Sequence, residues 1–320
     1  MIRDICRKIR KNTRHFFDNP SLVAISRLPN KGQLTLGDVG AAGEIEPRWK
    51  GFSKHLNYIG FEPDKRSREI ITNKNTNFKS YQILPYALSD SEKTLSLHLC
   101  KKPQVSSLYE PNSEILNKFP DSKRFDVVET AIVDCVSLDS LNLPKIDFLK
   151  IDIQGAENDV LKGASSMLNS VLGLDLEVEF IEIYKEQPLF GDICKTLSKN
   201  GFEFIDFVNL QRWERGAHNG HGQCIFGDAL FLKSPETLRN CNLDVDTWAA
   251  YITILIIYRR LDLIEVVLEL LPKDIKKKFR DFELSFSKVK RREANVKRIH
   301  SYLNSFISLL GEYWRLHLIR

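Results

Sequence analysis

The stretch of sequence that decides the fold is Gln33-Leu34-Thr35-Leu36-Gly37-Asp38-Val39-Gly40-Ala41-Ala42-Gly43. Its apolar side chains alternate at Leu34 and Leu36, a spacing that predicts a buried strand. Gly40 and Gly43 follow, and glycine permits a tight turn and close backbone approach at a strand-to-helix junction. The stretch therefore predicts a turn that holds a nucleotide-sized cofactor.

A second acidic residue supports this interpretation. Residues 58–61 read as the next strand, which ends at Glu62, nineteen residues after Gly43. An acidic side chain about 20 residues beyond the glycine turn is placed to accept hydrogen bonds from a ribose diol. The glycine turn and Glu62 are therefore expected to form one cofactor site.

The spacing of the glycines discriminates between cofactors. A dinucleotide site typically shows G-x-G-x-x-G, because backbone amides at the helix start must carry a pyrophosphate. Here Gly37, Gly40 and Gly43 give G-x-x-G-x-x-G, and the carboxylate of Asp38 within the turn would repel a phosphate. Asp38 would instead suit the ammonium of an amino-acid moiety, as in S-adenosylmethionine. This cofactor is favoured over NAD and over a glycine turn that binds nothing.

Composition indicates an ordinary globular protein. The chain has 320 residues, a mass of 37.0 kDa and 42% hydrophobic residues, enough for one large core and a smaller appended unit. Its six cysteines include no C-x-x-C pair, and there is no N-x-S/T sequon. These features favour a reducing, cytoplasmic environment and indicate neither a disulfide framework nor a cysteine metal site.

Basic charge is concentrated near the two ends of the chain. Residues 1–20 carry six Lys or Arg against two Asp, and residues 271–300 carry eleven against four acids, so the middle is acidic. Residues 1–19 predict a basic amphipathic helix, which either packs on the main domain or lies on an anionic membrane surface. They do not resemble a signal peptide, and no stretch reaches the roughly 18 apolar residues of a membrane span.

The basic run at residues 276–298 is interleaved with apolar residues at helical spacing and contains no nucleic-acid-binding motif. We therefore expect no nucleic-acid partner. A solvated helix face is the simpler interpretation, and attraction to an anionic membrane or glycan is the functional alternative. A peripheral position at the inner membrane face follows as a hypothesis for either basic segment.

The order of strands and helices predicts an α/β fold. Strands that alternate with helices imply a parallel, doubly wound sheet with its ligand crevice at the carboxyl ends of the strands. We expect a helix at 44–56, a helix at 64–73 and a third strand at 81–88. Strands at 95–99 and 127–133, with no crossover helix between them, predict a β insertion. An antiparallel pair at 202–208 and 229–232 closes the sheet.

Helical periodicity takes over from residue 244. We place a domain boundary near residue 235, which divides the chain into a basic N-terminal helix and linker (1–30), a main domain (31–235) and an all-helical C-terminal extension (236–320).

Polar side chains mark the functional edge of the sheet. Lys150, Asp152 and Gln154 lie in or just after a strand that should be buried on both faces, and Glu179 ends the next strand. Burying such groups is costly unless they lie at the open end of the strand. These residues are therefore expected at the edge where chemistry occurs.

Residues 146–157, Ile-Asp-Phe-Leu-Lys-Ile-Asp-Ile-Gln-Gly-Ala-Glu, resemble the K-x-D-x-E/Q-G-A-E signature of the FkbM family of S-adenosylmethionine-dependent methyltransferases. Residues 87–90, 105–108, 177–180, 187–190 and 227–231 are also similar to family segments, in the family's order. The resemblance covers about residues 34–233. It implies a class I methyltransferase fold with seven mostly parallel strands and O-methylation of a hydroxyl on a sugar or natural product.

The resemblance also implies site residues. Asp38, Gly40 and Gly43 match the family's cofactor turn, and Glu62 matches the ribose ligand. Residues 87–90, including Ala87, Leu88 and Asp90, would flank the adenine. The sequence departs from the family pattern at Ala42, where many methyltransferases have glycine, and at Gln154, where much of the family has Glu.

Methyl transfer from a sulfonium to a hydroxyl requires alignment of the reacting atoms and removal of a proton. Alignment supplies most of the acceleration, and a general base adds about 10²- to 10⁴-fold. Asp152 is the first candidate base, followed by Glu179 and His98. Asp152 and Glu179 could instead hold Mg²⁺, or Asp152 could cap the helix that begins near Ala156.

Two further sites are weighed on the residues. His98 lies on the polar face of an alternating strand, where a surface role is the simpler interpretation. A zinc site at His218, His221 and Cys224 is disfavoured because no fourth ligand is near in sequence.

Two functions of different classes remain open on the sequence. One is an O-methyltransferase acting on a small-molecule or glycan acceptor, with the acceptor held by loops at 103–120 and 212–222. The other is a non-catalytic binding module that acts through its helical tail.

Overall fold

The structure is a computed structural model. It describes residues 20–43, 45–72, 77–216 and 220–292, together with residues 294, 295, 298 and 302, and the side chain of Arg66 is outside the description. The predicted N-terminal helix at 1–19 and the histidine His218 lie outside the described residues.

The described residues form two β-sheets. The strands are β1 (Leu34–Val39), β2 (Leu56–Phe61), β3 (Ser80–Leu84), β4 (Ala87–Leu88), β5 (Lys93–Cys100), β6 (Val127–Val136), β7 (Phe148–Ile151), β8 (Gly173–Glu179), β9 (Phe202–Trp213) and β10 (Gln223–Lys233). The large sheet has seven strands in the order β3-β2-β1-β7-β8-β10-β9. Its first five strands are parallel, and β10 runs antiparallel to both β8 and β9. The expected mostly parallel, seven-stranded sheet is confirmed.

The second sheet is the predicted β insertion. It has three strands in the order β4-β6-β5, with β5 antiparallel to β6 and β4 parallel to it. The insertion therefore occupies the chain between β3 and β7, beside the carboxyl ends of the large sheet.

The helices that the structure describes are mostly short. They are α1 (Pro47–Lys50), α2 (Lys65–Thr72), α3 (Ser113–Leu116), α4 (Glu157–Lys162), α5 (Phe190–Lys199), α6 (Pro235–Arg239), α7 (Val245–Ile257), α8 (Leu261–Leu270) and α9 (Lys273–Lys276). Residues 20–25 and 280–292 are also helical. No helix in these ranges is long and apolar enough to span a bilayer.

Two predicted elements were wrong in extent. The crossover helix expected at 44–56 is reduced to α1 and a 3-10 turn at Ser53–His55, because Gly51 ends the first helical turn. The strand expected at 81–88 divides into β3 and β4, which belong to different sheets. Pro85 lies between them and has no N–H to continue a ladder.

The C-terminal helices supply the layer that α1 is too short to provide. Buried residues of α7, including Trp248 and Tyr251, share a hydrophobic core with Leu34, Leu36 and Phe148 of the sheet. Helix α7 is apolar all round because α8 and the helix at 280–292 cover its outer side. The predicted helical extension is thus present in the described residues from 236 to 292, where it packs directly on the sheet, and residues 303–320 lie outside the described residues. The boundary near residue 235 stays a prediction.

The opposite face of the large sheet is covered by α4 and α5. Val39, Phe61, Ile151 and Leu176 pack there against Val160 of α4, among other apolar side chains. With both faces covered, polar groups of the parallel strands can reach solvent only at the strand ends.

Candidate active site

A cavity of about 480 Å³ opens at the carboxyl ends of β1, β2 and β7. Its walls come from four places: the glycine turn after β1, the segment after β2, the residues after β7, and the inner face of the β insertion. This is the crevice that the parallel topology predicts. The lining includes Gly40, Gly43, Glu62, Ala87, Leu88 and Asp152 of the residues that the sequence singled out.

The glycine turn after β1 requires glycine at two positions for different reasons. Gly40 has φ +83°, and a Cβ there would overlap the backbone oxygen of Asp152. Gly43 has φ +126°, and a Cβ there would meet no atom within 4 Å. The backbone N–H groups of Gly40 and Ala41 both donate to the carbonyl of Phe61, each at 3.1 Å. The turn is therefore fixed at Gly40 and open toward the cavity at Gly43.

Glu62 lies at the end of β2 on the cavity wall. Its side chain is buried, and Oε1 accepts a hydrogen bond of 2.8 Å from the N–H of Asp64. Burial raises the pKa of the Glu62 carboxyl to about 7, and the nearby carboxylates of Asp64 and Asp38 add to this against the hydrogen bond from Asp64 and the charge of Arg68. The carboxyl group can thus gain or lose a proton near neutral pH.

The far side of the cavity is apolar. Ala87 and Leu88 of β4 line it together with Leu97 and Leu99 of β5 and Val133 of β6. Asp90 is not among the lining residues, and its carboxylate pairs with Lys93 at 2.7 Å. The hydrogen bond from Lys93 lowers the pKa of Asp90. The insertion therefore forms an apolar wall opposite the acidic turn.

Asp38 is buried, and it does not belong to the cavity lining. Its Oδ2 accepts a hydrogen bond of 2.7 Å from the hydroxyl of Tyr58, and its Oδ1 lies 3.7 Å from the Nζ of Lys150. Burial, followed by the charge of Asp38, raises the pKa of Tyr58, so this hydroxyl stays a donor. The carboxylate of Asp38 thus contacts one side chain from each of the two strands that neighbour β1, namely β2 and β7.

Asp152 follows β7 and lines the cavity directly beside Gly40. Its side chain is 38% exposed, and its Oδ2 lies 3.4 Å from the Nζ of Lys150. Burial alone would lower the pKa of Lys150, but the carboxylates of Asp38, Asp152, Asp175 and Asp228 together raise it. Lys150 is therefore a fixed cation between the acid of the glycine turn and the acid of the cavity.

Gln154 joins Asp152 to a deeper carboxylate. Its Nε2 donates to Asp152 Oδ1 at 3.0 Å and to Glu177 Oε1 at 2.6 Å, while its Oε1 accepts from the hydroxyl of Tyr184 at 3.2 Å. Gln154 has φ +61°, and its carbonyl accepts a hydrogen bond of 2.5 Å from the hydroxyl of Ser107. A left-handed non-glycine residue is uncommon, and here its side chain and carbonyl are both held by partners.

The carboxylates behind Gln154 are buried close together. Burial, with the charge of neighbouring acids, raises the pKa values of both Glu177 and Glu179 well above the ordinary value for Glu. Glu179 is 1% exposed and does not line the cavity, and its Oε1 has no hydrogen-bond partner among the described residues. The protonated forms of Glu177 and Glu179 are lower in free energy than the ionised forms, because burying an isolated charge is unfavourable.

The positions of three further groups bear on the alternatives for the site residues. The carboxylate of Glu157, not that of Asp152, accepts hydrogen bonds from the N–H groups of Ile153 and Gly155 in the turn before α4, each at 2.9 Å. His98 lies between Leu97 and Leu99, which both face the cavity, so its side chain points to the other face of the insertion. Within the described ranges, no group of three or more His, Cys, Asp or Glu is arranged to hold a metal ion.

Sequence reasoning placed Lys150 and Gln154 at the edge of the sheet but missed their partners Tyr58 and Tyr184 and the polar network that they form. It also missed the apolar wall from the insertion, because strand pairing between sheets is not encoded locally. A signal was available for Gln154, since a Gln-Gly pair directly after a strand indicates a turn with positive φ.

The cavity suits S-adenosylmethionine. Gly40 and Gly43 leave room for a ligand over the turn, and Glu62 offers a carboxylate where a ribose diol would lie. Asp64 and Asp152 are the other charged side chains of the described lining, and none of that lining is Lys or Arg. An acidic cavity favours a cofactor that carries a sulfonium and an ammonium group.

The amino-acid sequence matches the methyltransferase FkbM domain over residues 38–204, more than half of the chain. No curated protein matches it. Among solved structures, methyltransferase FkbM from Methylobacillus flagellatus KT aligns at 16% identity and a TM-score of 0.38, covering 63% of this chain and 44% of its own. This chain therefore spans less than half of that relative.

Two other solved structures are similar at low identity. Magnesium protoporphyrin IX methyltransferase from Synechocystis PCC 6803, with bound S-adenosylmethionine, aligns at 14% identity and a TM-score of 0.35 over 71% of this chain and 83% of its own. A TehB-like S-adenosylmethionine-dependent methyltransferase from Corynebacterium glutamicum ATCC 13032 aligns at 11% identity and a TM-score of 0.31, over 72% and 97%.

The match to the FkbM domain includes the glycine turn, Glu62 and the residues after β7, which together wall the cavity. The resemblance to the FkbM family seen in the sequence is confirmed. The chain belongs to the FkbM family of S-adenosylmethionine-dependent methyltransferases.

Proposed function

We propose that this protein transfers a methyl group from S-adenosylmethionine to a hydroxyl of a neutral glycan or natural product. The observation that carries the proposal is that Asp152 lines the same cavity as the glycine turn and Glu62. A carboxylate that can accept a proton is thus placed beside the binding site for the methyl donor.

The bound cofactor supplies a methyl group on a positively charged sulfur. In the proposed reaction the acceptor oxygen forms a bond to that methyl carbon as the carbon–sulfur bond breaks. The acceptor hydroxyl loses its proton to Asp152, and the electron pair of the broken bond stays on sulfur. The glycine turn at Gly40 and the β insertion form opposite walls of the cavity, and these walls hold the methyl donor and the acceptor in line. This alignment supplies the larger part of the acceleration.

Asp152 is the preferred base among the three candidates because of where each side chain lies. Glu179 is buried away from the cavity, and its raised pKa favours the protonated form, which cannot accept a proton. His98 points to the outer face of the insertion. Asp152 is partly exposed, lines the cavity and accepts hydrogen bonds from Lys150 and Gln154.

The charge of the cavity favours a neutral acceptor. Its charged, described side chains are Glu62, Asp64 and Asp152, all acidic. These carboxylates would repel a phosphate or carboxylate on an acceptor inside the cavity, and no basic side chain of the described lining would offset the repulsion. The apolar wall of Leu97, Leu99 and Val133 leaves room for an uncharged face of cofactor or acceptor.

Cofactor binding is tested first, by calorimetric titration with S-adenosylhomocysteine. We expect wild-type protein to bind, and Glu62→Ala to lose about 5- to 150-fold in affinity, since buried polar contacts to a ligand contribute on the order of 1–3 kcal/mol. Asp38→Ala in the same titration tests the predicted role of Asp38 in cofactor binding. Absence of binding to wild type would favour the alternative, a non-catalytic module that acts through its helical tail.

Activity is tested by screening neutral glycans and small alcohols with methyl-labelled S-adenosylmethionine. On any acceptor that is methylated, Asp152→Asn should bind S-adenosylhomocysteine normally and slow turnover by about 10²- to 10⁴-fold. Turnover by Asp152→Asn at the wild-type rate would end the candidacy of Asp152.

A further inference from the structure

The helix at residues 280–292 has two faces of opposite character. Phe282, Phe286 and Val289 are buried in the core beneath α7 and α8. The opposite side presents exposed residues, which we group with the exposed helical residues 298 and 302 as a stripe. The members of this stripe are Arg280, Leu284, Lys288, Arg291, Arg298 and Tyr302.

The first four members of the stripe lie on one surface of the helix at 280–292, because they follow each other at intervals of four, four and three residues. The helical residues Arg298 and Tyr302 come seven and eleven residues after Arg291, a spacing that fits the same helical period. Four of the six carry a positive charge. Lys290, by contrast, lies to the flank and forms an ion pair with Glu265 of α8. The cations of the stripe therefore face solvent and not the body of the protein.

Two side chains of the stripe are unusual for a solvated face. Leu284 is 65% exposed and Tyr302 is 68% exposed. Long basic side chains with interspersed apolar and aromatic residues are the composition of helices that lie in a membrane interface. Tyrosine is enriched at the level of lipid headgroups, and Lys and Arg there attract anionic lipids.

We propose that this stripe docks the protein on the surface of an anionic lipid membrane. Charge complementarity names the partner, because residues 271–300 carry eleven Lys or Arg against four acids while the middle of the chain is acidic. In this arrangement the stripe lies against the bilayer surface, and Arg280, Lys288, Arg291 and Arg298 contact the lipid headgroups. Leu284 contacts the acyl boundary, a role that a polyanionic glycan or nucleic acid could not give it.

The proposal does not depend on methyltransferase activity, so vesicles alone test it. The full chain is mixed with vesicles of phosphatidylcholine and, separately, with vesicles in which phosphatidylglycerol replaces part of that lipid. Co-sedimentation is measured at low and high salt. We expect binding to the anionic vesicles only, weakening as salt screens the charges.

Charge reversal locates the contact. Each cation near an anionic surface contributes about fivefold to the partition coefficient, so Lys288→Glu/Arg291→Glu should reduce it by at least about 30-fold. Lys195→Glu/Lys199→Glu makes the same change of net charge at exposed positions of α5 and should leave it within about twofold. All four side chains are exposed, so the melting temperatures of both variants should match wild type.

Leu284→Ser separates a lipid surface from a soluble polyanion. Loss of the apolar contact should weaken vesicle binding several-fold without changing retention on a heparin column. The proposal is overturned if wild type fails to sediment with anionic vesicles at low salt, if both double variants lose binding equally, or if heparin retention occurs without vesicle binding.

Discussion

The side-chain nitrogen of Gln154 lies 2.6 Å from Oε1 of Glu177 and 3.0 Å from Oδ1 of Asp152. One uncharged amide therefore donates to a buried carboxyl group and to the proposed base at the same time. Its oxygen is occupied by the hydroxyl of Tyr184. The amide fits because it supplies two donors and adds no charge to a crowded set of acids.

Replacing this amide by a carboxylate should make stability depend on pH. Gln154→Glu removes both donors and places a third acid against Asp152 and Glu177, so the pKa of the new carboxyl in the folded protein is raised. A group whose pKa is raised on folding costs stability as pH rises through that pKa. We expect the free energy of unfolding to fall by about 1–3 kcal/mol near pH 8 and to recover near pH 5.

The measurement is denaturant unfolding of wild type and variant at both pH values. Gln104→Glu is the matched control, since Gln104 is an exposed residue of the same cavity rim and the change should stay within about 0.5 kcal/mol. Equal losses for Gln154→Glu at the two pH values would show that the charge of the added acid is irrelevant.

The carboxyl group of Glu62 should make cofactor binding depend on pH. Burial raises its pKa to about 7, whereas the ionised form is the one that accepts both hydroxyls of a ribose. Affinity for S-adenosylhomocysteine should therefore fall as pH drops below about 7, approaching tenfold per pH unit. Calorimetric titrations from about pH 5.5 to 8.5 test this, and Glu62→Gln should bind weakly with little pH dependence. A flat profile for wild type would contradict the assignment.

The two glycines of the turn should respond differently to a methyl group. Gly40 has φ +83°, and the Cβ of Gly40→Ala would overlap the backbone of Asp152. We therefore expect this variant to lose about 2–4 kcal/mol of stability and also to lose cofactor binding. Gly43→Ala meets no atom, and its cost is confined to the positive φ of +126°, about 1–3 kcal/mol. Gly43→Ala should therefore stay folded and lose affinity for S-adenosylhomocysteine. Thermal melts and titration distinguish the two, and identical melts would be inconsistent with the turn geometry.

The contact between Tyr258 and Asp175 should join the C-terminal helices to the sheet. The Tyr258 hydroxyl donates to Asp175 at 2.7 Å, and burial raises the pKa of Asp175 to about 7 against the lowering effects of Arg48 and of this hydrogen bond. Tyr258→Phe removes a donor to a buried carboxylate and should cost about 1–3 kcal/mol. Because the folded pKa rises further, the cost should be larger near pH 8 than near pH 5. Unfolding free energies at both pH values provide the test, and Tyr302→Phe, on an exposed residue, is the control.

Much of this protein could be predicted from local sequence. Alternation at Leu34 and Leu36, the glycines after them, and Glu62 predicted a strand, a turn and an acid whose backbone positions follow from parallel topology. The Lys-x-Asp-x-Gln-Gly run predicted polar groups at a sheet edge because buried strands do not tolerate them elsewhere. These signals depend on periods and spacings within about 20 residues, which the chain carries by itself.

Tertiary structure decided what the side chains do. Asp38 lies near the carboxyl end of β1, and Asp152 directly follows β7, so both residues are close to the same crevice. The carboxylate of Asp38 nevertheless contacts Tyr58 and Lys150, whereas Asp152 lines the cavity. Strand pairing placed Leu97 and Leu99 at the cavity wall and His98 outside it. The C-terminal helices, and not the first crossover helix, cover one face of the large sheet. Sequence fixes which residues can form elements because that information is periodic and local. Direction, burial and pairing arise only when distant segments meet, since each depends on which neighbours exclude water from a side chain.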